Sequence, residues 1–246
     1  MKTSTFNMIV LVVAAVAGYL IFEFALPKFL QDGGPLVALL IALIIMLLAF
    51  VFERVFSLRK AQGKGSVPNF LKSVQQAVNA SDIDAALAAC DKQRGSMANV
   101  IRTGLERYKT LVDSGDVKSQ KEMNESIQRS IEEATMLEVP MLERNLVSLS
   151  TIASIGTMVG LLGTVIGMIR AFNAMAQAGG QPDAISLSRG ISEALVNTAG
   201  GLVAGIGGIV FYNFFVTKID NFTYMIDEAS YSIIQSLASK VPSKSR

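Results

Sequence analysis

The sequence predicts an all-α, polytopic membrane protein with four transmembrane helices, whose long helices extend into a cytoplasmic helical domain. Of its 246 residues, 51% are hydrophobic and only 17% are charged, whereas soluble domains carry about 25% charged residues. Four uncharged apolar runs begin near residues 6, 36, 146 and 194. Each run is long enough to cross a hydrocarbon core of about 30 Å as a helix.

The first apolar run predicts an additional N-terminal transmembrane helix over residues 1–26. Within it, Ala15-Val16-Ala17 resembles the small-residue site at which a signal peptide is cleaved, so a signal peptide is the alternative. Apolar sequence continues well past that site, which favours a retained helix.

Charge asymmetry predicts the topology. The second transmembrane helix is expected over residues 33–56, and its end carries a cluster of cations: Arg54, Arg59, Lys60 and Lys64. Because Lys and Arg are enriched in cytoplasmic segments next to membrane helices, residues 57–145 are predicted to form a cytoplasmic helical domain. Both chain termini are then cytoplasmic.

Capping and turn signals divide this predicted domain. Ser81 followed by Asp84 is typical of a capping box, which predicts a helix over Ile83–Gln93. The last helix of the domain is expected to begin near Val117 and to continue into the third span, with Pro140 as the site of a kink.

The remaining boundaries follow from the last two runs. We expect a third transmembrane helix over 146–176, a periplasmic loop over 177–189, a fourth over 190–217 and a cytoplasmic C-terminal helix over 218–246. Small residues at helical spacing let membrane helices approach closely. The glycines predicted to pack helices are Gly156, Gly160, Gly163 and Gly167 in the third span, and Gly201, Gly205 and Gly208 in the fourth.

Hydroxyl groups recur within these two spans. Thr157 and Thr164 are seven residues apart and so share a helix face, and Thr198 lies in the fourth span. Such a sparse stripe suggests the wall of a pore, although the hydroxyls can instead bond backbone carbonyls or neighbouring helices. Glu193 precedes the apolar run and is expected to stay hydrated at the outer mouth. Its alternative role is that of a helix N-terminal residue stabilised by the dipole.

Composition excludes several other classes of function. The chain has no histidine and a single Cys90, so neither an internal disulfide, a His-ligated metal nor a cysteine cage is expected. We find no nucleophile–base pair or phosphate loop, so neither an enzyme nor a cofactor is predicted. A net charge of +2 predicts no nucleic-acid partner. No carboxylate lies deep in the last two spans, so a proton path would need an acid from another chain.

Two stretches resemble the core helices of the MotA/TolQ/ExbB proton-channel family, most closely its ExbB branch and then TolQ. They are LERNLVSLSTIASIGTMVGLLGTVIGMIRAF (142–172) and ISEALVNTAGGLVAGIGGIVFYNFF (191–215). The resemblance implies pore residues at Thr164, Thr198 and Glu193. It also implies a homo-oligomer, expected to be a pentamer, around an ExbD-like subunit that supplies an intramembrane Asp. The N-terminal helix has no counterpart in the usual three-span pattern.

The resemblance further implies a motor of the bacterial inner membrane that uses the proton-motive force to energise a TonB-like protein. TolQ-like maintenance of the envelope or MotA-like motility is the alternative output. A non-conducting membrane scaffold is a third hypothesis, and sodium is an alternative ion because hydroxyls also ligate it.

Overall fold

The computed structural model describes residues 3–114, 119–177 and 184–238, which are helical and contain no strand. Four stretches in this part of the chain are long and apolar enough to cross a membrane. The predicted fold class is therefore confirmed. The helices are α1 (Thr3–Phe24), α2 (Lys28–Gln31), α3 (Pro35–Gln62), α4 (Val67–Asn79), α5 (Ile83–Gln93), α6 (Ser96–Ser114), α7 (Gln120–Glu143), α8 (Leu146–Gln177) and α9 (Ala184–Ala238).

The chain divides into two compact units. The first, called the membrane unit, comprises Met1–Arg54 and Asn145–Phe215. The second, called the polar unit, comprises Val55–Arg144 and Val216–Arg246.

In the membrane unit, small residues bring α1 against α3. Ala14 is buried, and a methyl group added to Gly18 would lie 2.8 Å from the carbonyl oxygen of Ala38. The ring of Phe6 meets that of Phe50 edge-on at a centroid distance of 6.4 Å. Close backbone approach of this kind is how helices associate in lipid, where apolar side chains gain little from leaving their surroundings.

Some predicted helix ends differ from those in the structure. Residues 184–189, predicted as loop, form the first turns of α9, which continues past residue 217 to Ala238. The membrane boundary at residue 217 and the cytoplasmic location of residues 218–246 stay predictions. Helix α7 contains Pro140 but does not continue into the third span, because Asn145 adopts a left-handed φ of 65° that ends helical geometry. The prediction that 178–183 form a loop lies outside the described residues.

The polar unit is built from the end of α3, from α4 to α7 and from the second part of α9. The amphipathic helices bury a row of apolar side chains, and the buried residues include Phe70, Val74, Val100, Leu105, Ile127 and Ile226. Helix α5 has the predicted bounds, but its cap is Asp82, whose carboxylate accepts from the Ala85 amide at 2.9 Å, and not Ser81. Ser81 has a φ of 61°, which belongs to the preceding turn.

Cys90 lies within this core. Its side chain is buried, and burial together with the neighbouring Asp91 carboxylate raises the pKa of the thiol to about 12. A thiol with such a pKa stays protonated at physiological pH and behaves as a small apolar side chain.

Candidate functional site

Helices α8 and α9 pack against each other along an antiparallel seam of small residues. A methyl group on Gly160 would lie 2.9 Å from the Cα of Gly201, and one on Gly167 would lie 2.8 Å from the Ala194 nitrogen. Residues later in α8 thus contact residues earlier in α9, as expected for antiparallel helices. The predicted packing glycines are all buried: Gly156, Gly160, Gly163, Gly167, Gly201, Gly205 and Gly208.

Backbone atoms form much of this seam. On α9, a Cβ at position 201 would approach the Gly156 carbonyl oxygen at 2.7 Å and the Gly160 nitrogen at 3.0 Å. Backbone can move aside only if the two helix axes separate. The seam therefore depends on the absence of side chains and gives the helix pair one fixed register.

Sequence reasoning missed Asn197, which lies at the same level as Gly163 in the seam. Its side chain is fully buried, and a Cβ on Gly163 would collide with it. The sequence contained a signal for this role, because a side-chain amide within an otherwise apolar membrane helix is costly and usually has a specific partner.

The Asn197 amide ties a loop to the fourth span. Its Nδ2 donates to the Gly33 carbonyl oxygen at 2.8 Å and to the Glu193 carbonyl oxygen at 2.9 Å. Both partners are acceptors, which fixes the orientation of the amide. Asn197 Oδ1 is buried and has no hydrogen-bond partner in the described part of the chain. The turn before α3 is therefore held against α9 by one side chain.

The same turn lies beside an ion pair. Arg170 of α8 donates to the Glu193 carboxylate, whose side chain is 8% exposed while that of Arg170 is 54% exposed. Gly34 has a φ of 74°, and a Cβ there would lie 2.9 Å from Glu193 Oε1. The expectation of a hydrated Glu193 is thus wrong for the subunit, because packing of the turn and the Arg170 guanidinium replaces water around the carboxylate.

Replacing Arg170 with Gln is expected to destabilise the subunit more than replacing both Arg170 and Glu193 with Gln. The single change leaves a carboxylate in a buried position without its cation, whereas the double change removes that charge. Because Arg170 is half exposed, solvent screening limits the difference to about 1 kcal/mol. Thermal unfolding of the two variants measures it. Equal stability of both would contradict the expected cost of a buried carboxylate without its cation.

Each predicted pore threonine donates to a carbonyl oxygen of its own helix. Thr157 Oγ1 bonds Ala153 at 3.0 Å, Thr164 Oγ1 bonds Leu161 at 2.6 Å, and Thr198 Oγ1 bonds Ala194 at 3.1 Å. These bonds use the single hydroxyl proton and leave oxygen lone pairs that can accept from water.

The threonines lie on one side of the helix pair. One residue along an α-helix turns the side-chain direction by about 100°. Because α8 and α9 are antiparallel, the step from Gly163 to Thr164 and the step from Asn197 to Thr198 turn toward the same side. We call this side, which also carries Thr157, the threonine flank. Along the axis, Thr164 and Thr198 are offset by about 3 Å, two residue rises.

Comparison with known proteins agrees with this arrangement of two glycine-rich helices. The sequence profile of the MotA/TolQ/ExbB proton channel family matches residues 92–228, more than half of the chain. The chain belongs to this family.

Individual family members match at moderate identity. The ExbB-like 3 biopolymer transport protein of Synechocystis sp. is 39% identical over 87 residues, which are 35% of this chain and 41% of that protein. ExbB of Salmonella typhimurium is 37% identical over 86 residues, 35% of each chain. TolQ of Pseudomonas aeruginosa is 27% identical over 168 residues, 68% of this chain and 71% of TolQ. The matches to the first two proteins thus span less than half of their length.

In this chain, Glu193 lies on a different side of the helix pair from the threonines. Five residues separate Glu193 from Thr198, which places them about 140° apart around α9. Glu193 lies on the side of the pair that packs against α3, where a Cβ on Gly200 would lie 3.1 Å from Leu40 Cδ1. The structure brings Thr157, Thr164 and Thr198 together and separates Glu193 from them.

The threonine flank has no acid of its own. Glu193 is the one carboxylate in the sequence of α8 and of α9 up to Phe215. Threonine hydroxyls do not titrate near neutral pH, so they can hold water but cannot bind and release protons. Among the described residues, no group of three or more His, Cys, Asp or Glu could hold a metal ion. The threonine flank itself therefore offers no group that binds and releases a proton near neutral pH.

Proposed function

We propose that this chain is the channel-forming subunit of an inner-membrane motor driven by the proton-motive force, and that the motor energises TonB-dependent outer-membrane transport. One observation carries the proposal: Thr164 and Thr198 lie within about 3 Å of each other along the axis, on a flank of the helix pair that has no acid. Membership of a proton channel family and similarity to ExbB proteins support it.

In the proposed assembly, several copies of the chain, expected to be five, place their threonine flanks around a central space. An ExbD-like partner occupies that space and supplies an intramembrane Asp. Charged Asp is costly next to apolar side chains and less costly next to hydroxyls and water, so its protonation changes where the partner helix rests. One charge crossing at 100 mV releases about 2.3 kcal/mol, enough to bias such a shift.

The proposed topology places both termini in the cytoplasm of a bacterium and the Gly33–Gly34 turn on the periplasmic side. Exposed Arg59, Lys60 and Lys64 at the end of α3 support this orientation. The α1 helix adds a fourth span at the side of α3.

TolQ-like maintenance of the cell envelope is the second candidate output. The observation in its favour is the extent of the TolQ match, which covers 68% of this chain, whereas the ExbB match in Salmonella typhimurium covers 35%. The two candidates share the motor and differ in the protein that receives its force.

Replacing both Thr164 and Thr198 with Val tests the motor. Valine keeps the shape of the side chain and removes the oxygen, so the subunit should fold and assemble while energy-dependent output falls to the level of a deletion. Nutrient uptake through TonB-dependent transporters and resistance of the envelope to detergent are measured in the same strains. Loss of uptake alone supports the first candidate, and loss of detergent resistance alone supports the second.

Thr151→Val provides the matched control for this experiment. Thr151 also donates to a carbonyl oxygen of its own helix, that of Val147 at 2.7 Å. It lies 13 residues before Thr164, about 140° away around α8 and thus off the threonine flank. The control should retain full output. Normal output in the double variant, with the partner still bound, would contradict the proposed ion path.

A further inference from the structure

An exposed basic cluster lies in the polar unit where α3 and α5 end. It comprises Arg59 and Lys60 in the last turns of α3, Lys64 in the following turn, and Arg94 at the end of α5. All four residues are exposed. Arg94 comes thirty residues after Lys64 in the sequence, so only the fold brings it to the others.

Backbone contacts hold the two parts of this basic cluster together. The Lys64 nitrogen donates to the Gln93 carbonyl oxygen at 2.6 Å, and buried Gln93 donates through Nε2 to the Gln62 carbonyl oxygen at 2.9 Å. Gly63, with a φ of 80°, lies against the Arg94 carbonyl. The backbones that carry Lys64 and Arg94 are thus fixed side by side.

The four cations are available for an anionic ligand. Among the described residues, none of them forms an ion pair with Asp or Glu. Arg54, which precedes the cluster in the sequence, differs because it is 1% exposed and donates from Nε to Glu53 Oε2 at 2.7 Å. Four like charges repel each other, and a cluster without internal carboxylates is stabilised by external anions.

The cluster lies at the depth of lipid headgroups if α3 crosses the membrane as proposed. The uncharged run of α3 ends at Phe52, and Phe56 follows one turn later with 67% exposure. The exposed Phe56 ring is apolar, and cations that directly follow a membrane helix are typical of its cytoplasmic end. Arg59 and Lys60 follow Phe56 by about 5 Å along the helix, which is the level of the phosphates.

We propose that Arg59, Lys60, Lys64 and Arg94 bind the phosphate groups of anionic phospholipids in the cytoplasmic leaflet. This inference rests on the proposed topology. Arginine and lysine form charge-assisted hydrogen bonds to phosphate oxygens, and each cation near an anionic surface strengthens attachment by about fivefold. The site anchors the polar unit to the membrane surface through the fixed turn between Gln62 and Lys64.

Lipid selectivity of the full-length protein in phosphatidylcholine vesicles tests the proposal. Trace spin-labelled phosphatidylglycerol or spin-labelled phosphatidylcholine is added, and the fraction of each label with restricted motion gives their relative association constant. The unchanged protein should prefer phosphatidylglycerol severalfold. The double variant Lys64→Gln with Arg94→Gln should lose most of that preference, because each of the two cations contributes to it.

Two further variants separate charge from structure. Lys64→Arg with Arg94→Lys keeps both charges and should keep the preference. Lys121→Gln with Arg129→Gln removes the same number of charges from α7, where the two side chains are 86% and 81% exposed, and should also keep it. Equal loss in this control, or no preference in the unchanged protein, would overturn the proposal.

Soluble phosphate distinguishes a lipid site from a site for a free anion. Inorganic phosphate and sodium chloride at equal ionic strength should weaken the preference equally, and a larger loss with phosphate would overturn the lipid assignment. The variant with Val at 164 and 198 should bind lipid normally. Failure of the lipid site therefore appears as lost selectivity with intact motor output, and failure of the motor appears as the reverse.

Discussion

Gly201→Ala is expected to separate α8 from α9 and to destabilise the subunit by about 2–3 kcal/mol. The added methyl group would meet the Gly160 Cα at 2.6 Å and the Gly156 carbonyl oxygen at 2.7 Å. Neither atom belongs to a flexible side chain, so only a shift of a whole helix relieves the contact. Such a shift also moves Thr164 relative to Thr198, and we expect motor output to fall together with stability.

Gly207→Ala is the matched control for this change. Gly207 lies in the same helix, and a methyl group there would meet only the end of the Leu47 side chain at 3.1 Å. Both substitutions gain about 1 kcal/mol of intrinsic helix propensity. Thermal unfolding of the two purified variants in the same detergent measures the difference. Equal unfolding temperatures would show that the seam tolerates a side chain and does not fix the helix register.

Asn197→Ala should produce the second large loss, about 1–3 kcal/mol, because it removes the donor to the Gly33 carbonyl. Gly33 is buried in the turn, whereas the Glu193 carbonyl lies within the hydrogen-bonded backbone of α9. The substitution also removes Asn197 Oδ1, which is buried and has no hydrogen-bond partner among the described residues, and this offsets part of the lost stability. Hydrogen exchange at residues 28–37 should accelerate more than exchange elsewhere in the membrane unit.

Asn173→Ala is the appropriate control, since Asn173 also lies in the membrane unit but is exposed. It should leave both unfolding temperature and exchange unchanged. If exchange at residues 28–37 responds equally to both substitutions, the amide of Asn197 is not what holds the turn against α9.

Local sequence patterns were sufficient to predict the four apolar spans and the glycines at which α8 and α9 approach each other. Gly156, Gly160, Gly163 and Gly167 recur at helical spacing within an uncharged run, and small residues in such runs have few uses other than close packing. The helix over Ile83–Gln93 was predictable for the same reason, because its start and stop signals are local. Its cap was misplaced by one residue, since Ser81 and Asp82 are both good caps and only the backbone of the turn decides between them.

Partners from distant parts of the sequence were not predictable. Glu193 was expected to be hydrated because it precedes the uncharged run of α9, yet Arg170 and the turn at Gly34 enclose it. The role of Asn197 depends on a carbonyl 164 residues away in the sequence. The end of α7 was also missed, because a left-handed asparagine at residue 145 leaves no composition signal comparable to glycine or proline.

Proton flux into vesicles tests the central claim most directly, namely that the threonine flank conducts only with an acid from a second chain. The chain alone and the chain with its acid-bearing partner are reconstituted at equal subunit density, and internal pH is followed after a potential is applied. We expect flux above the leak of empty vesicles only with the partner, and none when the intramembrane Asp of the partner is replaced by Asn. Equal proton flux through the chain alone would contradict the account.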